Sequence, residues 1–198
     1  MSDKNLFIIA GCNGSGKTTA SFTILPEMIN CKEFVNADEI AKGISPFQPE
    51  KIAFEAGRLM LNRINELLCL NENFAFETTL STKSYRSKIL KAKENNYSIT
   101  LIFFWLQNVE LAMERVRTRV SEGGHNIPEN VIARRYLRGI INLFDIYLPL
   151  ADGALIFDNS NGKHELLAEK TTQGELNIID NIKFAQIKKY YDNCRKAK

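Results

Sequence analysis

Leu6-Phe7-Ile8-Ile9-Ala10, running directly into Gly11-Cys12-Asn13-Gly14-Ser15-Gly16-Lys17-Thr18, is the stretch that decides the fold of this chain. Its first half is a short, unbroken apolar run, as carried by a strand buried on both faces of a parallel sheet. Its second half satisfies the pattern G-x-x-x-x-G-K-[ST], which has meaning only after a buried strand and before a helix. A helix is predicted from Lys17 to Pro26, so both conditions hold. The glycines let the backbone curl until successive N–H groups face a β-phosphate, and the helix start adds the positive end of its dipole. Gly11, Asn13, Gly14, Ser15, Gly16, Lys17, Thr18 and Thr19 are therefore the candidate ligands of a nucleoside triphosphate. Lys17 is expected on the β- and γ-phosphates and the Thr18 hydroxyl on Mg²⁺.

Strands and helices alternate outward from this stretch. Phe34-Val35-Asn36 reads as a second strand. Pro49-Glu50 opens a helix with Ile52, Ala56, Leu59, Met60, Leu67 and Leu68 on one face, ending near Asn71. Phe74-Ala75-Phe76 gives a third strand, Ser81 to Asn95 a basic amphipathic helix, and Ile99 to Leu106 a central strand rich in β-branched and aromatic residues. Helices over Val109–Val120 and Glu129–Leu148 flank the polar break Ser121–Pro128, which marks a lid over about 119–135. Ala154–Phe157 supplies a fifth strand. Glu165–Lys170 and Glu175–Ile179 form a hairpin around Gln173-Gly174, and a helix over Ile182–Asp192 follows, so that hairpin and helix occupy about 163–194. The expected fold is α/β, three-layered and like that of P-loop NTPases and kinases. It has a mainly parallel five-stranded sheet, a helical lid and a C-terminal hairpin.

A length of 198 residues suits one domain spanning 1–198. The apolar run at Leu6–Ala10 is too short for a leader, and no segment reaches the ~20 apolar residues of a membrane span, so a cytoplasmic location is expected. Cys12, Cys31, Cys69 and Cys194 are scattered without a C-x-x-C pair and read as reduced thiols. The net charge of +3 argues against a dedicated nucleic-acid binder, and the tail Arg195-Lys196-Ala197-Lys198 reads as a solvated terminus.

The phosphate loop identifies a nucleotide site without identifying a reaction. An aspartate-ended Walker B strand at a usual distance and the N-K-x-D base motif of GTPases are both missing, which favours a small-molecule kinase. Such an enzyme needs a base for the acceptor hydroxyl and cations for the transferring phosphoryl group. Asp38, just past the second strand, stands at the ligand edge of a parallel sheet; it is either that base or the cap of the following helix. Glu77, trailed by Thr78, Thr79 and Ser81, either holds a polyhydroxylated acceptor or, with Ser81, caps the next helix. Arg115, Arg117, Arg119, Arg134, Arg135 and Arg138 straddle the lid, and His125 lies within it.

Gly11 through Thr19, Val35-Asn36-Ala37-Asp38-Glu39-Ile40-Ala41, Phe76-Glu77-Thr78-Thr79-Leu80-Ser81 and Arg115 through Asn142 together resemble the zeta toxins and their small free-standing relatives. These are P-loop kinases that phosphorylate UDP-N-acetylamino sugars. The resemblance covers most of the chain up to about Asp158. It implies that Asp38 activates a sugar hydroxyl, that Glu77 with Thr78 and Thr79 binds the acceptor, and that Arg119 and Arg135 stabilise transfer from Mg-ATP. Asn13 stands where many toxic members carry proline, and the C-terminal region is shorter than theirs. An antitoxin, where one exists, is expected to be a separate protein. Two alternatives remain beside the sugar-nucleotide kinase: a polynucleotide 5′-hydroxyl or nucleoside kinase, and a nucleotide-binding regulatory or toxin–antitoxin protein without turnover.

Overall fold

A computed structural model describes residues 4–171 and 174–196. Strands β1 (Lys4–Gly11), β2 (Glu33–Val35), β3 (Phe74–Thr78), β4 (Tyr97–Trp105), β5 (Gly153–Asp158), β6 (Glu165–Lys170) and β7 (Leu176–Ile178) form a seven-stranded sheet ordered β2-β3-β1-β4-β5-β6-β7. The five strands β1 to β5 are parallel, whereas β6 is antiparallel to β5 and β7 to β6. The expectation of a five-stranded sheet with a hairpin is corrected here: the hairpin pairs with β5 and extends the same sheet. Gln173, at its predicted turn, lies outside the described residues.

The apolar run of β1 serves both faces of the sheet. Leu6, Ile8 and Ala10 join the larger core with Phe74, Phe76, Leu101 and Phe103, while Ile9 points the other way against Ala75, Ile102, Phe104 and Leu25. Alternate side chains thus meet helices on opposite sides, which is why the run shows no polar alternation.

The helices are α1 (Lys17–Thr23), α2 (Ala37–Ile44), α3 (Ala53–Leu70), α4 (Tyr85–Glu94), α5 (Val109–Ser121), α6 (Glu129–Asn142), α7 (Leu148–Leu150) and α8 (Asn181–Lys196). Pro26 lies in a π-helical turn, Ile24–Met28, that ends the α1 rod. On α3, Ala56, Met60, Leu67 and Leu68 are buried as predicted, whereas Leu59 is 41% exposed. α4 begins later than predicted, because Leu80 adopts a left-handed φ of +56° and breaks the chain between β3 and the helix. α8 runs past Asp192, and its Arg195 is not simply solvated: Nη1 pairs with Asp145 at 3.0 Å. Ala197 and Lys198 lie outside the described residues. Among the described residues no helix is long and apolar enough to cross a membrane.

Two aspartates tie the second half of the chain to the sheet. Asp152 accepts from Lys93 Nζ at 2.5 Å and from the Ile99 amide at 2.9 Å. Asp158, at the end of β5, pairs with Lys183 of α8 at 2.8 Å and accepts from the Ser160 amide at 2.8 Å. Burial raises both carboxyl pKa values, but these hydrogen bonds and cations outweigh it and hold both below the ordinary 3.8. A carboxyl depressed in the folded state contributes stability that is complete above its unfolded pKa and lost as pH falls through its folded one. The double variant Asp152→Asn/Asp158→Asn is therefore expected to be less stable than wild type near neutrality. In urea unfolding, that difference should shrink below about pH 4; a difference independent of pH would contradict this account.

Candidate active site

Strand register gathers three loops at one edge of the sheet. Ala10 lies beside Thr78, Ile9 beside Glu77, and Val35 beside Phe76, so the residues following β1, β2 and β3 emerge together. The connection from β1 runs to β2, whereas that from β3 passes across β1 to β4. Ligands of open α/β sheets bind where neighbouring strands diverge in this way.

The phosphate loop is braced from behind. Gly14 and Gly16 have φ values of +80° and +83°, a conformation that costs other residues about 1–2 kcal/mol. A Cβ on Gly16 would stand 2.5 Å from Asn159 Nδ2, and that amide donates to Ser15 O at 2.8 Å. Arg115 Nη2 in turn donates to Asn159 O and Ser160 O, both at 2.8 Å. Gly14, Gly16, Lys17, Thr18, Thr19, Arg115 and Arg119 line a cavity of about 220 Å³. Cys12 turns inward, and burial pushes its thiol pKa up to about 11, so it remains an uncharged packing residue.

Glu77 stands on the phosphate side of the site. Its carboxylate accepts from Thr18 Oγ1 at 2.8 Å and Asn36 Nδ2 at 2.9 Å, and lies 3.6 Å from Lys17 Nζ. The Lys17 and Glu77 side chains are only 6% and 8% exposed, and Lys17 also donates to Cys12 O at 2.9 Å. A hydroxyl, an amide and an ammonium thereby satisfy a charge that would otherwise be costly to bury. Mg²⁺ favours hard oxygen ligands, usually one or two carboxylates together with phosphates. The Thr18 hydroxyl and Glu77 carboxylate fit that requirement.

Asp38 is not the cap of α2. Asn36 holds that position, its Oδ1 accepting from the Asp38 amide at 2.8 Å and the Glu39 amide at 3.4 Å. The Asp38 carboxylate is left 49% exposed. It lines the phosphate-side cavity and also a second one of about 290 Å³, and Asn13, Lys17 and Glu77 are shared in the same way.

Hydroxyls dominate the second cavity. Thr78, Thr79, Ser81, Thr82 and Tyr85 line it together with Arg135. Ser81 does not cap α4; its Oγ lies 2.9 Å from Thr79 Oγ1. The strained Leu80 is buried, its amide donating to Thr78 Oγ1 at 3.0 Å and its carbonyl accepting from Asn142 Nδ2 at 2.6 Å. α6 approaches so closely that a Cβ on Gly139 would stand 2.6 Å from Thr79 O. Burial, aided by Asp38, raises the Tyr85 phenol to about 12, so it stays a donor.

The arginines separate into distinct roles. Arg119 lines the phosphate-side cavity and donates from Nη2 to His125 O at 3.2 Å. Arg135 lines the hydroxyl-rich cavity and donates to Asn13 Oδ1 at 3.3 Å; burial lowers its pKa, and Asp38 opposes that. Arg117 faces solvent and pairs with Glu129 at 2.8 Å, while Arg134 and Arg138 line neither cavity. Arg115, one of the six arginines that straddle the lid but not one assigned to transfer, lies four residues before Arg119 and so shares its helix face.

The sequence profile of the Zeta toxin family matches residues 2–171. An uncharacterized protein of Haemophilus influenzae is 33% identical over 137 residues, covering 69% of this chain and 94% of that protein. Among solved structures, the AvrRxo1-ORF1:-ORF2 complex with ATP is similar at a TM-score of 0.74 and 18% identity, over 93% of this chain. This chain spans 63% of that longer one. A structure from the PezAT chromosomal toxin–antitoxin system of Streptococcus pneumoniae gives a TM-score of 0.64 at 14% identity, covering 98% and 87% of the two chains. At these identities the structural neighbours speak for the fold alone. With a family profile matched over residues 2–171 and a relative 33% identical, the chain belongs to the Zeta toxin family.

Proposed function

We propose that the protein is an ATP-dependent kinase that phosphorylates a hydroxyl of a UDP-N-acetylamino sugar. One observation carries this reading: Asp38 lines both the phosphate-side and the hydroxyl-rich cavity, where a base between donor and acceptor would have to stand. Its carboxylate takes the proton of the acceptor hydroxyl. The freed oxygen bonds to the γ-phosphorus of ATP, the bond to the β–γ bridging oxygen breaks, and that electron pair leaves with ADP. Lys17, Arg119 and Arg135 supply positive charge around the transferring group; the buried Nε of Arg119, without a hydrogen-bond partner, is a donor suited to a phosphate oxygen. Mg²⁺, when bound, neutralises phosphate charge, and Thr18 with Glu77 would hold it. Glu77 therefore serves the metal side as well as the acceptor expected from the family resemblance. Thr78, Thr79, Ser81 and Thr82 offer the hydroxyl partners that a sugar requires.

The expected result is a phosphorylated sugar nucleotide, detected by mass spectrometry after incubation with Mg-ATP and UDP-N-acetylglucosamine. Exclusive labelling of an oligonucleotide 5′-hydroxyl or a nucleoside in the same acceptor panel would overturn the substrate assignment. Labelling of no acceptor would overturn the kinase reading. The toxin–antitoxin description of the Streptococcus pneumoniae neighbour supports a separate antitoxin as a partner of this chain as well.

A further inference from the structure

His125 belongs to the lid loop, yet its side chain faces the proposed base. Gly123 has a φ of +89°, and the Gly124 amide donates to Arg119 O at 2.8 Å. A Cβ on Gly124 would collide with Arg119, lying 2.8 Å from its carbonyl oxygen. The paired glycines thus fold the loop tightly onto the end of α5. This fold has two results: His125 O accepts from Arg119 Nη2 at 3.2 Å, and His125 Nε2 comes to 3.9 Å from Asp38 Oδ2. The imidazole is 13% exposed, so it is packed in place.

We propose that His125 is a positioning residue for the Asp38 carboxylate, delivered by the lid: inward movement of about 1 Å brings Nε2 to hydrogen-bond distance of Oδ2. The Oδ1 atom is then free for the acceptor proton. Because the same loop binds Arg119 through its carbonyl, base orientation and arginine placement are set by one movement. The charged groups around the ring are Asp38 and Lys42 of α2, Glu50 of the segment before α3, and Arg119 of α5. Burial lowers the imidazole pKa, with Asp38 opposing and Arg119 and Lys42 reinforcing. The ring is therefore neutral at neutral pH, and when protonated on Nε2 it donates to the carboxylate without adding a charge.

The assignment rests on Asp38 being the base of a kinase, and two measurements separate the claims. His125→Ala should lower kcat by about tenfold to a hundredfold and leave KM for ATP near its wild-type value. His125→Gln, which returns an amide donor close to Nε2, should recover most of the rate. Independently, the chain contains 2 histidines, so an NMR titration follows His125 with His164 as internal reference. Asp38→Asn removes a nearby negative charge and should lower the His125 midpoint by about half a pH unit or more, leaving His164 unmoved. A His125→Ala variant with wild-type kcat, or a midpoint indifferent to Asp38→Asn, would overturn the assignment. If wild-type protein phosphorylates no acceptor, the kinase reading fails by itself, and the titration still decides whether the lid imidazole engages Asp38.

Discussion

Asp38→Ala is expected to lower phosphoryl transfer by about 10²–10⁴-fold, the usual contribution of a positioned general base, while ATP still binds. The expected loss is specific to transfer because Asp38 carries little of the architecture. Asn36 caps α2, so the substitution leaves the first-turn amides satisfied. An exposed carboxylate in the first turn of a helix contributes about 0.3–1 kcal/mol through the dipole, too little to threaten the fold. The loop, Lys17 and Thr18, where the phosphates are proposed to bind, are untouched. Initial rates with labelled ATP, beside nucleotide affinity from calorimetry, test both parts. Transfer at the wild-type rate would remove Asp38 from the mechanism, and loss of ATP affinity in parallel with rate would recast it as a nucleotide ligand.

Lys17→Met should lower transfer by about 10²–10³-fold and also destabilise the protein, two effects with different causes. Removing one fixed cation from the transferring phosphoryl group costs about 10²–10³ in rate. The stability loss arises at Glu77, 8% exposed and 3.6 Å from the lysine. Breaking a buried pair by removing one partner costs about 3–5 kcal/mol. Here Thr18 and Asn36 still donate to the carboxylate, so the expected cost is lower, about 1–3 kcal/mol. Adding Glu77→Gln to Lys17→Met removes the stranded charge and should restore part of the stability but none of the transfer. Urea unfolding of the four-member cycle measures the coupling; strictly additive losses would show that the two residues do not act on one another.

The legible and illegible parts of this molecule divide along physical lines. The phosphate loop and the central strands could be read because their requirements are local: glycines where φ is positive, apolar residues where both faces are covered. The rule that strand ends face the ligand puts Asp38 and Glu77 at the sheet edge, and both line the two cavities there. The cap of α2 was not legible, since Asn36 and Asp38 are both good caps and the choice depends on β2 ending at Val35. The late start of α4 was hidden by three acceptable caps, Ser81, Thr82 and Ser84, decided by the left-handed turn at Leu80 and by α6 resting on it. Whether the C-terminal hairpin would stand alone or extend the sheet depends on an edge that only the assembled parallel strands create.

The cluster of Lys17, Thr18 and Glu77 has a consequence for selectivity among anions. The lysine and threonine that would receive a nucleotide are already engaged by an internal carboxylate, so an incoming phosphate must compete with a resident anion for them. A lone phosphate ion or a passing polyanion offers little beyond the contacts it displaces. Under the proposed reading, a triphosphate with Mg²⁺ would bring more interactions than the contacts it displaces, and Glu77 would be left to hold the metal with Thr18. On that reading Glu77 would be a placeholder, biasing the site toward the complete Mg-nucleotide over its fragments.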